Sequence, residues 1–204
     1  MTRRTTFLIG YKTFFALLGL SAIVTEIATL AERGYFTPLN FFSYFTIQTN
    51  ILVFITLLLS ALMLAVGKNG RLDTLRSAVT VYILVVGIGF SVLLSGMEGL
   101  TLTAVPWDNM VLHYIIPAVA LVDFLIDRPK RALSFKKALM WLLFPVLYVT
   151  YALTRGAMTG WYPYPFLNPA TNGYGSVLAA IAGLFLLGIV MIWCVTRLTM
   201  IRRR

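Results

Sequence analysis

Residues 41–66 read FFSYFTIQTNILVFITLLLSALMLAV, a run without one charged side chain that begins with interleaved aromatic and polar residues and turns almost wholly aliphatic. An α-helix rises about 1.5 Å per residue, so roughly 20 apolar residues cross the hydrocarbon core of a bilayer. The run is continuously apolar rather than alternating, which excludes a strand of a membrane β-barrel. It is therefore read as a transmembrane helix. Five further runs are long and predominantly apolar: 7–30, 78–97, 109–126, 138–154 and 175–196. The first is too long for a signal-peptide core and is followed by no small-residue cleavage site, so it is read as retained. The sequence thus predicts an all-α polytopic membrane protein, residues 1–204 forming one bundle of six transmembrane helices.

Composition agrees. Of 204 residues, 59% are apolar or aromatic and 12% are charged, about half the charged share of a soluble domain. Mean hydropathy is +0.86. A soluble chain must cover its surface with polar groups and could not hide this much apolar area. Disorder and a disulfide scaffold are excluded too, the latter because Cys194 is the single cysteine. With one Cys and one His, no metal site is expected, and no cofactor.

The net charge of +10 has a topological reading. Arg3, Arg4 and Lys12 precede or open the first run. Lys68, Arg71 and Arg76 follow the second, and Arg128, Lys130, Arg131, Lys136 and Lys137 follow the fourth. Arg197 and Arg202–Arg204 close the chain, which places 15 of 17 cations on one side of a six-span bundle. Basic loops stay cytoplasmic, so both termini are expected there, and the bacterial inner (plasma) membrane is the expected setting. Only Arg33 and Arg155 fall in the opposite loops, 31–40, 98–108 and 155–174. The cations lie in short clusters between apolar runs, so nucleic acid is not an expected partner. The expected partners are bilayer lipids and a lipid substrate; oligomeric state is left open.

Polar groups inside a bilayer are costly and are either paired across helices or functional. Ser43, Thr46, Thr49 and Asn50 recur at helical spacings and form one stripe from the outer interface inward. The stripe reads as interhelical glue or as the edge of a pocket. His113, the single histidine, is expected about a turn into the fourth span from the same side. Pro117 four residues on cannot donate to the His113 carbonyl, which predicts a kink with a freed carbonyl there. Glu26, Glu98 and Arg155 near the outer ends are interfacial charges or a salt-bridged cluster. Asp123 lies ten residues from His113, about 15 Å along a helix, and cannot orient its ring. It is expected near the basic face. The loop Trp161-Tyr162-Pro163-Tyr164-Pro165-Phe166 is stiffened by proline and reads as an interfacial belt or the lid of a lipid pocket.

A hydroxyl nucleophile needs a base and an oxyanion donor. Thr46 and His113 fit the first two roles, and Asn50, Asn109, Trp161 and Tyr164 are candidate donors. The segments around them carry a resemblance. Tyr44-Phe45-Thr46-Ile47, His113-Tyr114-Ile115-Ile116-Pro117 and Trp161 followed by Tyr164-Pro165-Phe166-Leu167 resemble, in order, three segments of the androgen-induced membrane protein family, and most closely its small bacterial six-span relatives. The family comprises multi-span threonine hydrolases that cleave fatty-acid esters of hydroxy fatty acids. The resemblance implies that Thr46 is the nucleophile and His113 its catalytic partner. Thr49, Asn50, Asn109, Arg155, Trp161 and Tyr164 are then the expected substrate contacts, with Arg155 on a substrate carboxylate. Thr49 offers a second hydroxyl, and Pro163 is an extra residue relative to the family spacing. The alternatives are a small transporter or channel and a non-catalytic lipid-binding membrane protein.

Overall fold

The computed structural model describes residues 1–97 and 103–201. Glu98 and Arg202–Arg204, invoked above, lie outside the described residues. Among the described residues, six helices are long and apolar enough to cross a membrane: α1 (Arg3–Glu32), α2 (Phe45–Ala65), α3 (Asp73–Leu93), α4 (Pro106–Ile126), α5 (Phe135–Thr159) and α6 (Pro169–Met200). The architecture is an all-α polytopic membrane protein. An even number of crossings puts both termini on one face, called here the terminal face.

α1 packs along α2 and touches α4; α2 packs on α3; α3 packs on both α4 and α6. Ala16, Ile23, Val53, Phe54, Ile83, Leu112 and Ile116 fill the space among α1–α4. The outer surfaces invert the soluble pattern: Phe14, Leu17, Leu62, Val92, Leu147 and Leu186 are exposed, as lipid-facing residues should be. α5 is tied to the bundle by hydrogen bonds and by ring contacts of Phe144 and Tyr148 with Phe45 and Tyr82. The Tyr82 hydroxyl donates to the Trp141 carbonyl at 2.7 Å, and Tyr148 donates to the Ser43 carbonyl at 3.1 Å.

Three local features differ from the sequence reading. First, α2 begins at Phe45, not at residue 41. Residues Pro38–Phe41 form a separate helical turn started by a proline at its first position, and a turn at Phe42 and Ser43 separates it from Phe45. Ser43 is therefore not on α2; its hydroxyl lies 2.6 Å from the Tyr151 hydroxyl. Second, Pro117 does not simply kink α4. Val111–Ile115 adopt a π-helical turn, which absorbs the missing donor by widening the ring of hydrogen bonds. Gly87 makes room for this bulge: a Cβ there would lie 3.1 Å from the His113 carbonyl oxygen and 3.0 Å from Pro117.

Third, Lys12 and Arg76 are not loop charges. Lys12 is fully buried, and its ammonium lies 2.5 Å from Asp123 and 3.0 Å from Asp127. Arg76 pairs with Asp123 at 2.8 Å, Asp127 at 3.1 Å and Asp73 at 3.4 Å. Five charged side chains from α1, α3 and the end of α4 thus form one buried network near the terminal face. Asp123 was expected near basic residues; its partners are buried ones.

Candidate functional site

The N-terminal end of a helix leaves backbone N–H groups without intrahelical partners. Thr46, second residue of α2, has such an N–H, and the Tyr164 hydroxyl accepts from it at 3.1 Å. The same hydroxyl lies 3.2 Å from Thr46 Oγ1. The loop between α5 and α6 is shaped to deliver this group. Gly156 lacks a Cβ where the Tyr162 ring packs, Pro165–Leu167 form a 3-10 turn, and the Tyr164 ring stacks on Phe166 and stands edge-on to Tyr44. Burial pushes the Tyr164 phenol up to about 12, so it is neutral and can donate at physiological pH.

His113 sits in the π turn of α4, buried, with its ring stacked on Phe90 at a centroid distance of 3.9 Å. Its Nδ1 lies 3.1 Å from the Asn109 carbonyl. A carbonyl only accepts, so the proton is on Nδ1 and Nε2 keeps its lone pair. A backbone carbonyl, not a carboxylate, orients the ring.

Thr46, His113, Trp161 and Tyr164 all line one cavity of about 450 Å³. Glu26, Arg33, Thr37, Asn40 and Tyr44 line it too. Among the described residues, no direct hydrogen bond joins Thr46 to His113; open space lies before both. A second, narrow cleft of about 100 Å³ runs between α3, α5 and α6. Its walls are apolar from Val81 and Ile192 at one end to Leu93, Leu94 and Leu167 at the other, and Phe90, Thr46 and Tyr164 line it as well. Thr46 and Tyr164 are therefore shared by a polar cavity and an apolar cleft.

The other residues singled out in the sequence lie outside this junction. Thr49 is fully buried, and its hydroxyl donates to the carbonyls of Phe45 at 2.8 Å and Thr46 at 3.2 Å. Asn50 donates to Thr46 and across to the Leu112 carbonyl in the π turn. Both are helix-binding groups that line neither cavity. The Asn109 side chain does not line them; its backbone holds His113. Arg155 donates to Asn40 Oδ1 at 2.6 Å, and its guanidinium lies over the Trp161 ring at 4.5 Å. It braces two cavity residues from behind and does not pair with Glu26. The Glu26 carboxylate instead accepts from the Ala104 N–H at 2.8 Å and 2.9 Å.

Sequence reasoning missed Phe90, Asn40 and Tyr44 as parts of the site. Phe90 and Asn40 carry no signal, since an apolar helix residue and a loop amide are unremarked in any membrane sequence. Tyr44 was visible only as a neighbour of Thr46. No family model, curated protein or solved structure matches the chain. Fold and site define a class: a six-span helical membrane protein with a histidine-bearing cavity and an adjoining apolar cleft that share Thr46 and Tyr164 in their walls.

Proposed function

We propose that the chain is a membrane-embedded lipid ester hydrolase of the threonine type. It acts on fatty-acid esters of hydroxy fatty acids or similar lipids, from the inner membrane of a bacterium, with both termini cytoplasmic. The observation that carries the proposal is the junction at Thr46. A lipid ester has an apolar chain, a carbonyl and a more polar remainder, and needs adjoining sites of just those kinds. Along α3 the cleft extends from Val81 to Leu94, about 20 Å at 1.5 Å per residue. One leaflet of acyl chains is about 15 Å deep, so the cleft has the length for one chain.

Thr46 Oγ1 attacks the ester carbonyl carbon while its proton passes to His113 Nε2, directly or through one cavity water. The negative charge that develops on the carbonyl oxygen is met by the Tyr164 O–H and the N-terminal end of α2. The intermediate collapses, the C–O bond to the alcohol breaks, and His113 returns the proton to the departing oxygen. Water then attacks the acyl-threonine with the same assistance. The acid is released and the proton returns to Thr46. Arg33, on the cavity wall, is better placed than Arg155 to meet a substrate carboxylate.

A fluorophosphonate probe tests the reading. It should label Thr46 in the wild type, and label neither Thr46→Ala nor His113→Ala while both remain folded. Hydrolysis of the named esters should fall in parallel. A wild type that binds lipid but is not labelled and releases no acid would move the protein to the non-catalytic lipid-binding class. The transport alternative needs a polar path between the cavity and the Lys12 network. Ala16, Val53, Leu112, Ile116 and Val119 belong to the apolar core between the helices, which counts against the transport alternative.

A further inference from the structure

The terminal face has an unusual charge balance. Its three described acids, Asp73, Asp123 and Asp127, are all buried in the network with Lys12 and Arg76. Arg3, Arg4, Lys68, Arg71, Lys130, Arg131, Lys136, Lys137 and Arg197 are all exposed, and Arg128 is half-buried. No exposed Asp or Glu balances them among the described residues of that face. A topological signal alone requires an excess of cations and does not require every acid to be withdrawn.

Three chain segments bring part of this charge together. The Arg4 guanidinium donates to the Ile126 carbonyl at 2.7 Å, tying the start of α1 to the end of α4. The Lys130 N–H donates to Asp73 Oδ2 at 2.7 Å, tying the α4–α5 loop to the start of α3. The Lys130 stem lies across the α2–α3 loop, where a Cβ on Gly70 would be 3.0 Å from Lys130 Cδ. Arg128 stands between these ties, and its Nε is buried with no hydrogen-bond partner. Arg4, Arg128 and Lys130 are thus gathered where α1, α3 and α4 end at the terminal face.

We infer that this convergence is a binding site for the headgroup of an anionic phospholipid. Its phosphate meets the combined charge of Arg4, Arg128 and Lys130. Basic pockets between helix ends recognise anionic headgroups by this chemistry. The buried acids serve the site indirectly. Asp73 fixes the Lys130 backbone, and because none of the three is exposed, none repels a phosphate.

The test uses the full chain purified in a neutral detergent, with dioleoylphosphatidylglycerol and dioleoylphosphatidylcholine as probes. Retained lipid is counted by native mass spectrometry, and the thermal midpoint is followed as each lipid is titrated. Phosphatidylglycerol should be retained preferentially and raise the midpoint saturably, with the effect weakening as salt is added. Arg128→Gln/Lys130→Gln should lose the preference, by roughly fivefold for each cation removed. Lys136→Gln/Lys137→Gln removes the same charge from the start of α5 and should keep it. Equal retention of both lipids by the wild type would overturn the site. So would equal loss in the two double variants, which would show a diffuse field rather than a site. A wild type stabilised as well by inorganic phosphate as by phosphatidylglycerol would overturn the lipid assignment.

Discussion

Replacing Lys12 by Met removes the one ammonium of a five-charge network while keeping the length of the side chain. Lys12 contacts Asp123 at 2.5 Å and Asp127 at 3.0 Å and is fully buried. In the wild type two cations face three carboxylates; in Lys12→Met, Arg76 alone faces all three. Removing one partner of a buried ion pair costs about 3–5 kcal/mol, because the remaining charge stays desolvated. That is a large part of a typical stability of about 5–15 kcal/mol. The second variant, Lys12→Met/Asp127→Asn, returns the balance to one cation against two carboxylates and should recover a substantial part of the loss. Lys68→Met, in the exposed α2–α3 loop, should shift stability by no more than about 0.5 kcal/mol. Equilibrium unfolding in mixed micelles, followed by circular dichroism, measures all three. The reasoning fails if Lys12→Met unfolds within about 1 kcal/mol of Lys68→Met, or if adding Asp127→Asn makes matters worse, since either outcome means the charges are solvated.

Thr46→Ala and His113→Ala should each lower ester hydrolysis by about 10²–10⁴-fold, and the double variant should be scarcely slower than either, because nucleophile and base act as one unit; additive losses in single-turnover assays would separate them. Thr49→Ala should remain labelled by the fluorophosphonate, since its hydroxyl is engaged with its own helix; loss of labelling there alone would transfer the nucleophile to Thr49. Tyr164→Phe keeps the ring and removes the hydroxyl at Thr46, and as an oxyanion donor it should cost about 10²–10³-fold in kcat with little change in KM; an unchanged kcat would leave Tyr164 a purely structural residue. Tyr164 also sets an alkaline limit. Its folded value is pushed to about 12 by burial and an unfolded tyrosine titrates near 10, so its contribution to stability is complete below about pH 10 and is lost as pH rises to about 12; a melting midpoint in Tyr164→Phe that falls as steeply as the wild type over that window would contradict this.

The sequence by itself determined the six helices. Length and continuous apolarity decide whether a segment can satisfy its backbone in lipid, and both are local properties. Residues 41–66 and the other runs therefore located every span, with edges displaced by a few residues where proline turns such as Pro38–Phe41 intervene. The sequence also singled out Thr46, His113 and Tyr164, because polar side chains stand out against an apolar background. Only the tertiary structure decided which polar groups face open space. Thr46 and Thr49 are three residues apart on one helix, yet one hydroxyl faces the Tyr164 side of the bundle and the other bonds back to its own carbonyls. The difference is set by α4 and the α5–α6 loop, which are remote in sequence. Lys12 shows the same limit. In the sequence it is grouped with Arg3 and Arg4 as a cation near the start of the first apolar run. It is buried because α1 starts at Arg3 and carries Lys12 inward to where the end of α4 supplies Asp123 and Asp127, contacts more than 100 residues apart in the chain. Hydropathy reads one segment at a time; the partner that makes a buried charge tolerable belongs to another segment, and only packing brings the two together.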